Sequence, residues 1–184
     1  MRISGGSLRG RQVRVLEGRG IRPAMDRMRE SVFAVLGDLS GCSFLDMFSG
    51  SGSIALEAAS RGACPIEAVE KDPLKRKTLI ENVAMAPVRI RCRFMAAEQY
   101  IRRASRSFTV IFCDPPFAYR FKGDLVRTIA ASPLMQQGSR LLVHRPQEDP
   151  YLETLGTADG LTANLVLQES RVYGRSVVDF FALG

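Results

Sequence analysis

The chain has 184 residues, of which 46% are hydrophobic and 24% charged, and it carries a formal net charge of +7. This length predicts a single domain over residues 1–184, and the composition excludes a disordered protein. No run approaches the roughly 18 consecutive apolar residues of a membrane span, and the start lacks the apolar segment of a secretory signal, so we expect a cytoplasmic protein with no membrane partner.

The first 29 residues are strongly basic. Eight arginines in this stretch face only Glu17 and Asp26, which gives it a net charge of +6. The planar guanidinium fork matches phosphate, so an all-arginine leader favours a polyanionic partner over a merely solvated surface. Candidate RNA contacts are Arg2, Arg9, Arg11, Arg22, Arg27 and Arg29.

Two elements are predicted within this basic region. The pattern of residues 1–20 predicts a β-hairpin arm, with a Gly5-Gly6 turn followed by alternating apolar and polar residues. The pattern of residues 21–42 predicts a helical segment, in which Asp26 is the N-cap and apolar residues recur at helical spacing up to Gly37.

From residue 43 onward, strand and helix patterns alternate, which predicts an α/β core over residues 43–184. Strand candidates are 44–48, 66–70, 89–94, 109–113 and 140–144, and the helical stretches between them are 53–61, 73–86, 97–104 and 123–131. Strands separated by helices of this length indicate a parallel sheet with helices on both faces. Two last strands, 165–172 and 177–183, flank a turn at 173–176 and predict an antiparallel hairpin at the sheet edge.

A glycine-rich turn joins the first strand to the first core helix, within residues 45–55. Glycines there let a ligand approach the backbone, and the helix N-terminus offers free N–H groups. Glu70, about twenty residues further on, ends the second strand and can bind both hydroxyls of a ribose. The pattern also fits a dinucleotide fingerprint, so an NAD-binding domain or a plain tight turn are alternatives. Asp46 favours a cationic sulfonium cofactor, because its carboxylate would repel a diphosphate.

The tetrapeptide Asp114-Pro115-Pro116-Phe117 follows the apolar run of the fourth strand. The carboxylate can accept a hydrogen bond from an N–H group, and the proline carbonyls can accept another without a competing donor nearby. Phe117 can lie against the face of a planar ring. These properties suit the binding of a flat amine, although a turn that merely ends a strand is the alternative.

Together these segments resemble a class I S-adenosylmethionine-dependent methyltransferase that acts on amines, and more narrowly the RsmD family of bacterial 16S rRNA guanine-N2 methyltransferases. The matching segments are collinear over nearly the whole chain: 2–10, 22–30, 45–52, 56–62, 70–72, 114–117 and 173–174. The resemblance implies a Rossmann-like, mostly parallel seven-stranded sheet of order 3-2-1-4-5-7-6. It also implies S-adenosylmethionine as cofactor and a guanine of the small ribosomal subunit as substrate.

The resemblance also implies roles for individual residues. Asp114, Pro115, Pro116 and Phe117 would be catalytic and hold the target base. The cofactor-binding residues would be Asp46, Phe48, Ser49, Gly50, Ser51, Gly52, Glu70, Lys71, Ala96 and Asp114. Three positions depart from the family pattern: Ala24 replaces a threonine, Met95-Ala96 replaces an acidic or amide residue, and His144 lies near a frequent glutamate. A lone strand histidine is usually structural, so His144 is not a predicted base.

The expected chemistry is direct transfer of a methyl cation to an amine nitrogen, with no metal. The four cysteines are scattered singly without a C-x-x-C pair, as in proteins with free thiols. Three alternatives are a nucleic-acid adenine-N6 methyltransferase, an NAD-dependent dehydrogenase and a catalytically silent rRNA-binding assembly factor. The adenine alternative stays open because this type of tetrapeptide also serves adenine N6.

Overall fold

The computed structural model describes residues 1–15, 23–155 and 165–183 of the chain. Its strands are β1 (Phe44–Met47), β2 (Ile66–Val69), β3 (Ile90–Arg93), β4 (Val110–Cys113), β5 (Arg140–Pro146), β6 (Leu165–Tyr173) and β7 (Ser176–Leu183). Its α-helices are α1 (Pro23–Leu36), α2 (Ser53–Ser60), α3 (Arg76–Val83), α4 (Ala97–Arg102), α5 (Lys122–Ala130) and α6 (Tyr151–Leu155). Short 3-10 helices cover Gly6–Leu8 and Pro73–Lys75.

The strands form one sheet in the order β3-β2-β1-β4-β5-β7-β6. The first five strands pair in parallel, whereas β7 runs antiparallel to both β5 and β6. The central strands β1, β2 and β4 are buried at every residue, as expected where helices cover both faces of a parallel sheet. The predicted class I methyltransferase fold and strand order are confirmed.

Each face of the sheet has its own apolar core. On one face, α1 and α2 pack with the N-terminal arm around Phe33 and Phe44, both fully buried. On the other face, α4, α5 and α6 pack around Phe108 and Leu141. Burial of one such large side chain contributes about 1.5–3 kcal/mol relative to exposure. The two cores hold the sheet rigid, so the loops at the carboxyl ends of its strands start from fixed positions.

The N-terminal arm, residues 1–15, folds back onto α2. Its two limbs meet at a single antiparallel bridge between Arg2 and Gln12, and the 3-10 helix Gly6–Leu8 lies in the loop between them. Gly6 has a φ of +73°, and a Cβ there would lie 1.8 Å from the carbonyl oxygen of Ser60. The chain therefore reverses through a wider loop than the predicted two-residue turn at Gly5-Gly6. Gly6 instead lets the arm approach the backbone of α2 closely.

Other predicted boundaries differ by one to several residues. Helix α1 begins at Pro23 and not after Asp26. Proline is favourable in the first turn of a helix, because the backbone N–H groups there have no carbonyl partner within the helix. Helix α6 was not predicted from the sequence. The expected boundary between arm and helical segment, at residues 20–21, lies outside the described residues, and the division at residue 43 stays a prediction. Among the described helices, none is long and apolar enough to cross a membrane.

Candidate active site

The glycine-rich loop between β1 and α2 is tightly folded. Phe48, Gly50 and Gly52 all have positive φ angles, of 62°, 58° and 79°. A Cβ on Gly52 would lie 2.6 Å from Cδ1 of Leu79 in α3, so the loop depends on glycine both for its conformation and for this packing. The amide of Ser49 donates to the carbonyl of Val69 at 2.9 Å, which ties the loop to the end of β2.

Asp46 lies under this loop and is only 1% exposed. Its Oδ2 accepts hydrogen bonds from the Ser49 hydroxyl at 2.6 Å and from the Ala55 amide at 3.1 Å. Burial raises the pKa of Asp46 to about 7, and the nearby carboxylates of Asp114 and Glu70 act in the same direction. The residue therefore caps the start of α2 and supports the loop, and its burial makes the ionised form of its carboxyl costly.

Glu70 follows β2 and holds the loop from the other side. Its Oε2 accepts from the Gly50 amide at 2.8 Å, and its Oε1 accepts from the Asp72 amide at 2.8 Å. Lys75 reaches it at 3.5 Å. Glu70 is buried, whereas the side chain of the neighbouring Lys71 is exposed. The carboxylate thus lies beside Gly50 at the carboxyl edge of the sheet.

A buried asparagine of α3, Asn82, connects this loop to the N-terminal arm. Its Nδ2 donates to the carbonyls of Ser51 at 2.8 Å and of Arg14 at 2.9 Å, and its Oδ1 accepts from the Arg14 amide at 3.0 Å. Sequence reasoning missed this residue, because both partners are backbone groups of distant segments. The sequence contains one indication of this role: asparagine is unfavourable inside a helix unless its side chain has hydrogen-bond partners.

Asp114 emerges from β4, next to the end of β1. Its amide donates to the Met47 carbonyl at 3.3 Å, and its Oδ1 lies 2.7 Å from Nδ1 of His144. About a quarter of the side chain is exposed. The structure therefore brings Asp114 to the same edge as Asp46 and Glu70, as expected for carboxyl ends of neighbouring parallel strands.

The rest of the tetrapeptide presents an aromatic ring and a carbonyl. Phe117 is 44% exposed, and its ring lies edge-on to His144 with centroids 5.5 Å apart. The Pro116 carbonyl accepts from the Tyr119 amide at 2.7 Å, whereas the Pro115 carbonyl accepts no hydrogen bond from the described residues. One proline carbonyl is thus used to close a turn, and the other is available as an acceptor.

Lys122, at the start of α5, fixes the loop that carries these residues. It is 1% exposed, and its Nζ donates to the carbonyls of Phe117 at 3.2 Å and of Tyr119 at 2.6 Å. The same Nζ lies 2.7 Å from a carboxylate oxygen of Asp149. Sequence reasoning missed this lysine, since a lysine at a helix start normally indicates surface. Its burial gives the loop a defined path behind Phe117.

Tyr119 links the glycine-rich loop to the segment after β3. Its ring lies edge-on to Phe48 with centroids 5.7 Å apart, and its hydroxyl donates to Glu98 at 2.6 Å. This hydrogen bond lowers the pKa of Glu98, and burial raises the pKa of Tyr119. A pocket of about 370 Å³ lies beside it, lined in part by Ile101, Phe121 and Leu125. Ala96, a predicted cofactor contact, immediately precedes α4 on this side.

The predicted RNA-binding arginines fall into three groups. Arg2, Arg9, Arg11 and Arg27 are exposed. Arg29 is 3% exposed: it donates to Asp26 at 2.8 Å and to the Arg2 carbonyl at 2.6 Å, and it lies 3.4 Å from Glu57. An arginine buried among these partners has no phosphate-accessible face, so the structure argues against Arg29 as an RNA contact. Arg22 lies outside the described residues.

Glu57 in α2 anchors the arm to the body of the protein. It is fully buried and accepts from the amides of Ser4 and Gly5 at 2.9 and 3.0 Å. Arg61 lies 3.2 Å away, one helical turn later. The arm therefore has a fixed orientation on α2, with its exposed arginines directed outward. No group of three or more metal-ligating side chains occurs among the residues that the structure describes.

The family described as "Conserved hypothetical protein 95" matches residues 1–182. The chain belongs to this family, the RsmD family. Its match to the Bacillus subtilis "Putative rRNA methyltransferase YlbH" has 27% identity over 187 residues and covers 98% of both chains. Its match to the Escherichia coli "Ribosomal RNA small subunit methyltransferase D" has 35% identity and covers 64% of this chain and 60% of that protein.

The RsmD fold extends over the whole chain in a solved structure described as "Putative methyltransferase yhhF from Escherichia coli". That structure aligns with a TM-score of 0.84 at 26% identity, over 100% of this chain and 97% of the other. The predicted RsmD membership is thus confirmed by sequence and fold together.

Proposed function

We propose that this protein transfers a methyl group from S-adenosylmethionine to the exocyclic N2 amine of a guanine in 16S rRNA of the small ribosomal subunit. The observation that carries the proposal is the position of Asp114, which follows β4 at the same carboxyl edge of the sheet as Asp46 of β1 and Glu70 after β2. One acid for the target amine and two for the cofactor suit an amine methyltransferase. RsmD membership and the names of the rRNA-methylating relatives support the rRNA substrate.

S-adenosylmethionine is the cofactor, and the acids of the site fit it. It supplies an electrophilic methyl group on a sulfonium, and its ribose offers two hydroxyls. Asp46 would provide negative charge under the loop for the cationic part, and Glu70 would accept hydrogen bonds from the ribose. The backbone of Phe48, Ser49, Gly50, Ser51 and Gly52 would hold the methionine part. Lys71 and Ala96 would hold the nucleoside.

The tetrapeptide binds the target base. Oδ2 of Asp114 and the Pro115 carbonyl each accept one N–H of the exocyclic amine, which favours a pyramidal nitrogen with its lone pair directed at the methyl carbon. S-adenosylmethionine would supply the methyl group and leave as a neutral thioether, and the proton lost by the methylated amine would pass to water. Such positioning supplies several of the about 7–11 kcal/mol available to well-oriented reactants.

The target base has to leave its stack to reach Asp114, at a cost of about a few kcal/mol. Stacking on the exposed ring of Phe117 contributes about 1–3 kcal/mol and offsets part of this cost. Arg2, Arg9 and Arg11 of the arm, with Arg27 of α1, contact RNA phosphates, so RNA affinity falls as salt rises. Arg22 is a further proposed phosphate contact, whereas Arg29 is buried and does not contact the RNA.

The test is transfer of a tritiated methyl group to 16S rRNA, and to small subunits, prepared from cells that lack this protein. Asp114→Ala should lower turnover by at least about 10³-fold while cofactor affinity changes little, because the lost contacts act on the base. Glu148→Ala, which removes an exposed carboxylate, is the matched control and should keep full activity. Turnover of the Asp114→Ala protein within about threefold of the unsubstituted protein would contradict the proposal.

The alternatives make different predictions in the same assay. An adenine-N6 methyltransferase would place the label on adenosine, and a silent assembly factor would bind the RNA but transfer no label. A dehydrogenase would be stabilised by NAD and not by S-adenosylmethionine. RsmD membership favours none of the three.

A further inference from the structure

His144 is the single histidine of the chain, and its imidazole ring has one hydrogen-bond partner among the residues that the structure describes. It lies in β5, beside β4, and is 1% exposed. Its Nδ1 lies 2.7 Å from Oδ1 of Asp114. The Asp114 amide donates to the Met47 carbonyl, which positions the backbone, and the His144 ring is the one side-chain hydrogen-bond partner of the carboxylate among the described residues.

The two ring nitrogens of His144 have very different surroundings. Nδ1 faces a carboxylate, which only accepts hydrogen bonds when ionised, so Nδ1 carries the proton of this bond. Nε2 is buried and has no hydrogen-bond partner among the described residues. Buried polar groups are normally satisfied, and a histidine kept only for structure would use both nitrogens. Here the ring instead leaves one nitrogen unpaired and directs the other at the proposed catalytic acid.

We propose that His144 is a positioning residue that orients the Asp114 carboxylate for the target amine. Donation from Nδ1 to Oδ1 holds the carboxylate so that Oδ2 remains available to accept an N–H of the base. The His144 ring also packs edge-on against Phe117, so one side chain supports both the acceptor and the stacking surface. This inference rests on the proposed function, because the oriented group is the acceptor of the substrate amine.

Three substitutions separate orientation from mere packing. The amide nitrogen of asparagine can occupy the place of Nδ1, that of glutamine reaches instead toward the place of Nε2, and leucine offers no donor. We expect His144→Asn to keep turnover within about threefold. We expect His144→Gln and His144→Leu to lose about 10–100-fold in kcat, as a displaced catalytic group does. The KM for S-adenosylmethionine should change less than about twofold in all three.

A spectroscopic readout needs no substitution at His144. In the ¹⁵N-labelled protein the only imidazole signals come from this residue, so nitrogen chemical shifts report its tautomer directly. We expect the neutral ring to carry its proton on Nδ1, and the proton to move to Nε2 in Asp114→Ala. A neutral ring protonated on Nε2 in the unsubstituted protein would overturn the inference.

The outcomes distinguish this inference from the proposed function. If Asp114→Ala keeps its turnover, the proposed function fails, and the positioning role fails with it even if the tautomer is as expected. If Asp114→Ala is inactive but the leucine and glutamine variants are as active as the asparagine variant, only the role of His144 fails. Loss of activity in His144→Leu and His144→Gln, with activity kept in His144→Asn, supports the positioning role of His144.

Discussion

Two groups of carboxylates in this protein, all buried except the partly exposed Asp114, differ in the side chains that lie next to them. In the first group each acid has an arginine close by: Glu57 lies 3.2 Å from Arg61, Glu67 lies 2.8 Å from Arg93, and Asp179 lies 2.6 Å from Arg145. In the second group Asp46 and Asp114 have no lysine or arginine at ion-pair distance within the described part of the chain. Glu70 has only Lys75, at 3.5 Å.

The difference separates acids that hold the fold from acids that are available to ligands. A buried charge is costly unless it is paired, and the arginines supply that pairing in the first group. In the second group, at the edge where parallel strands end, Asp46 and Asp114 have no lysine or arginine partner among the described residues, and Glu70 has Lys75 alone. In the function that we propose, a sulfonium cofactor and a substrate amine would supply positive charge and hydrogen-bond donors to these acids. We therefore expect the acids without an arginine partner to bind ligands, and the acids paired with arginine to stabilise the fold.

The largest expected effect is on stability, from the paired group. Glu57→Gln should lower the free energy of unfolding by about 3–5 kcal/mol, because Arg29 and Arg61 lose their buried counter-charge. Asp46→Asn, in the second group, should leave the free energy of unfolding unchanged or raise it at pH 8. Burial raises the pKa of Asp46 to about 7, so the ionised carboxylate destabilises the folded state at that pH. Urea denaturation measures both. Equal losses for the two variants would contradict the distinction.

The sign of the Asp46→Asn effect on stability follows from the linkage between proton binding and folding. A carboxyl whose folded pKa lies above its unfolded value binds more protons in the folded state. Asp46 therefore contributes less to stability as pH rises from about 4 to about 7, and asparagine removes this loss.

A smaller effect is expected at the bridge between the arm and the glycine-rich loop. Asn82→Ala removes the hydrogen bond to the Ser51 carbonyl, so we expect the affinity for S-adenosylmethionine to fall by about tenfold, or about 1.4 kcal/mol. Calorimetric titration measures this. Arg14→Ala is the matched control, because Asn82 contacts only the backbone of that residue. Unchanged affinity in Asn82→Ala would show that the loop holds its shape without the bridge.

The smallest effect is a pH dependence of cofactor binding. Cationic groups of S-adenosylmethionine prefer the ionised form of Asp46, whose pKa burial raises to about 7. Affinity should therefore rise a few-fold, on the order of threefold, between pH 5.5 and 7.5, while an α-amino group stays largely protonated. Asp46→Asn should flatten the curve. A curve of the same slope in that variant would place the titrating group elsewhere.

The sequence was sufficient for the fold, because the alternation of strands and helices is a local pattern. It also located Asp46, Glu70 and Asp114 at strand ends, where topology brings them together. It was insufficient for Lys122 and Asn82, whose partners are carbonyls of distant segments. It misjudged Arg29, because counting charge does not reveal burial.

The contact between His144 and Asp114 was not predicted from the sequence, for a related reason. Its partner Asp114 belongs to a neighbouring strand, and their contact depends on the register between β4 and β5, which aligns Cys113 with Val143. Periodicity predicts that these strands exist, but register sets which side chains meet across them. The contact thus required the folded structure.

The central claim is that the Asp114 carboxylate accepts a hydrogen bond from a guanine amine and so holds it facing the methyl group to be transferred. Mass spectrometry of 16S rRNA nucleosides, from cells with and without this protein, tests that claim most directly. We predict that N2-methylguanosine decreases by one site per 16S rRNA without the protein. The unsubstituted gene should restore it, and the Asp114→Ala gene should not. An unchanged nucleoside profile in the absence of the protein, or full restoration by Asp114→Ala, would contradict the account.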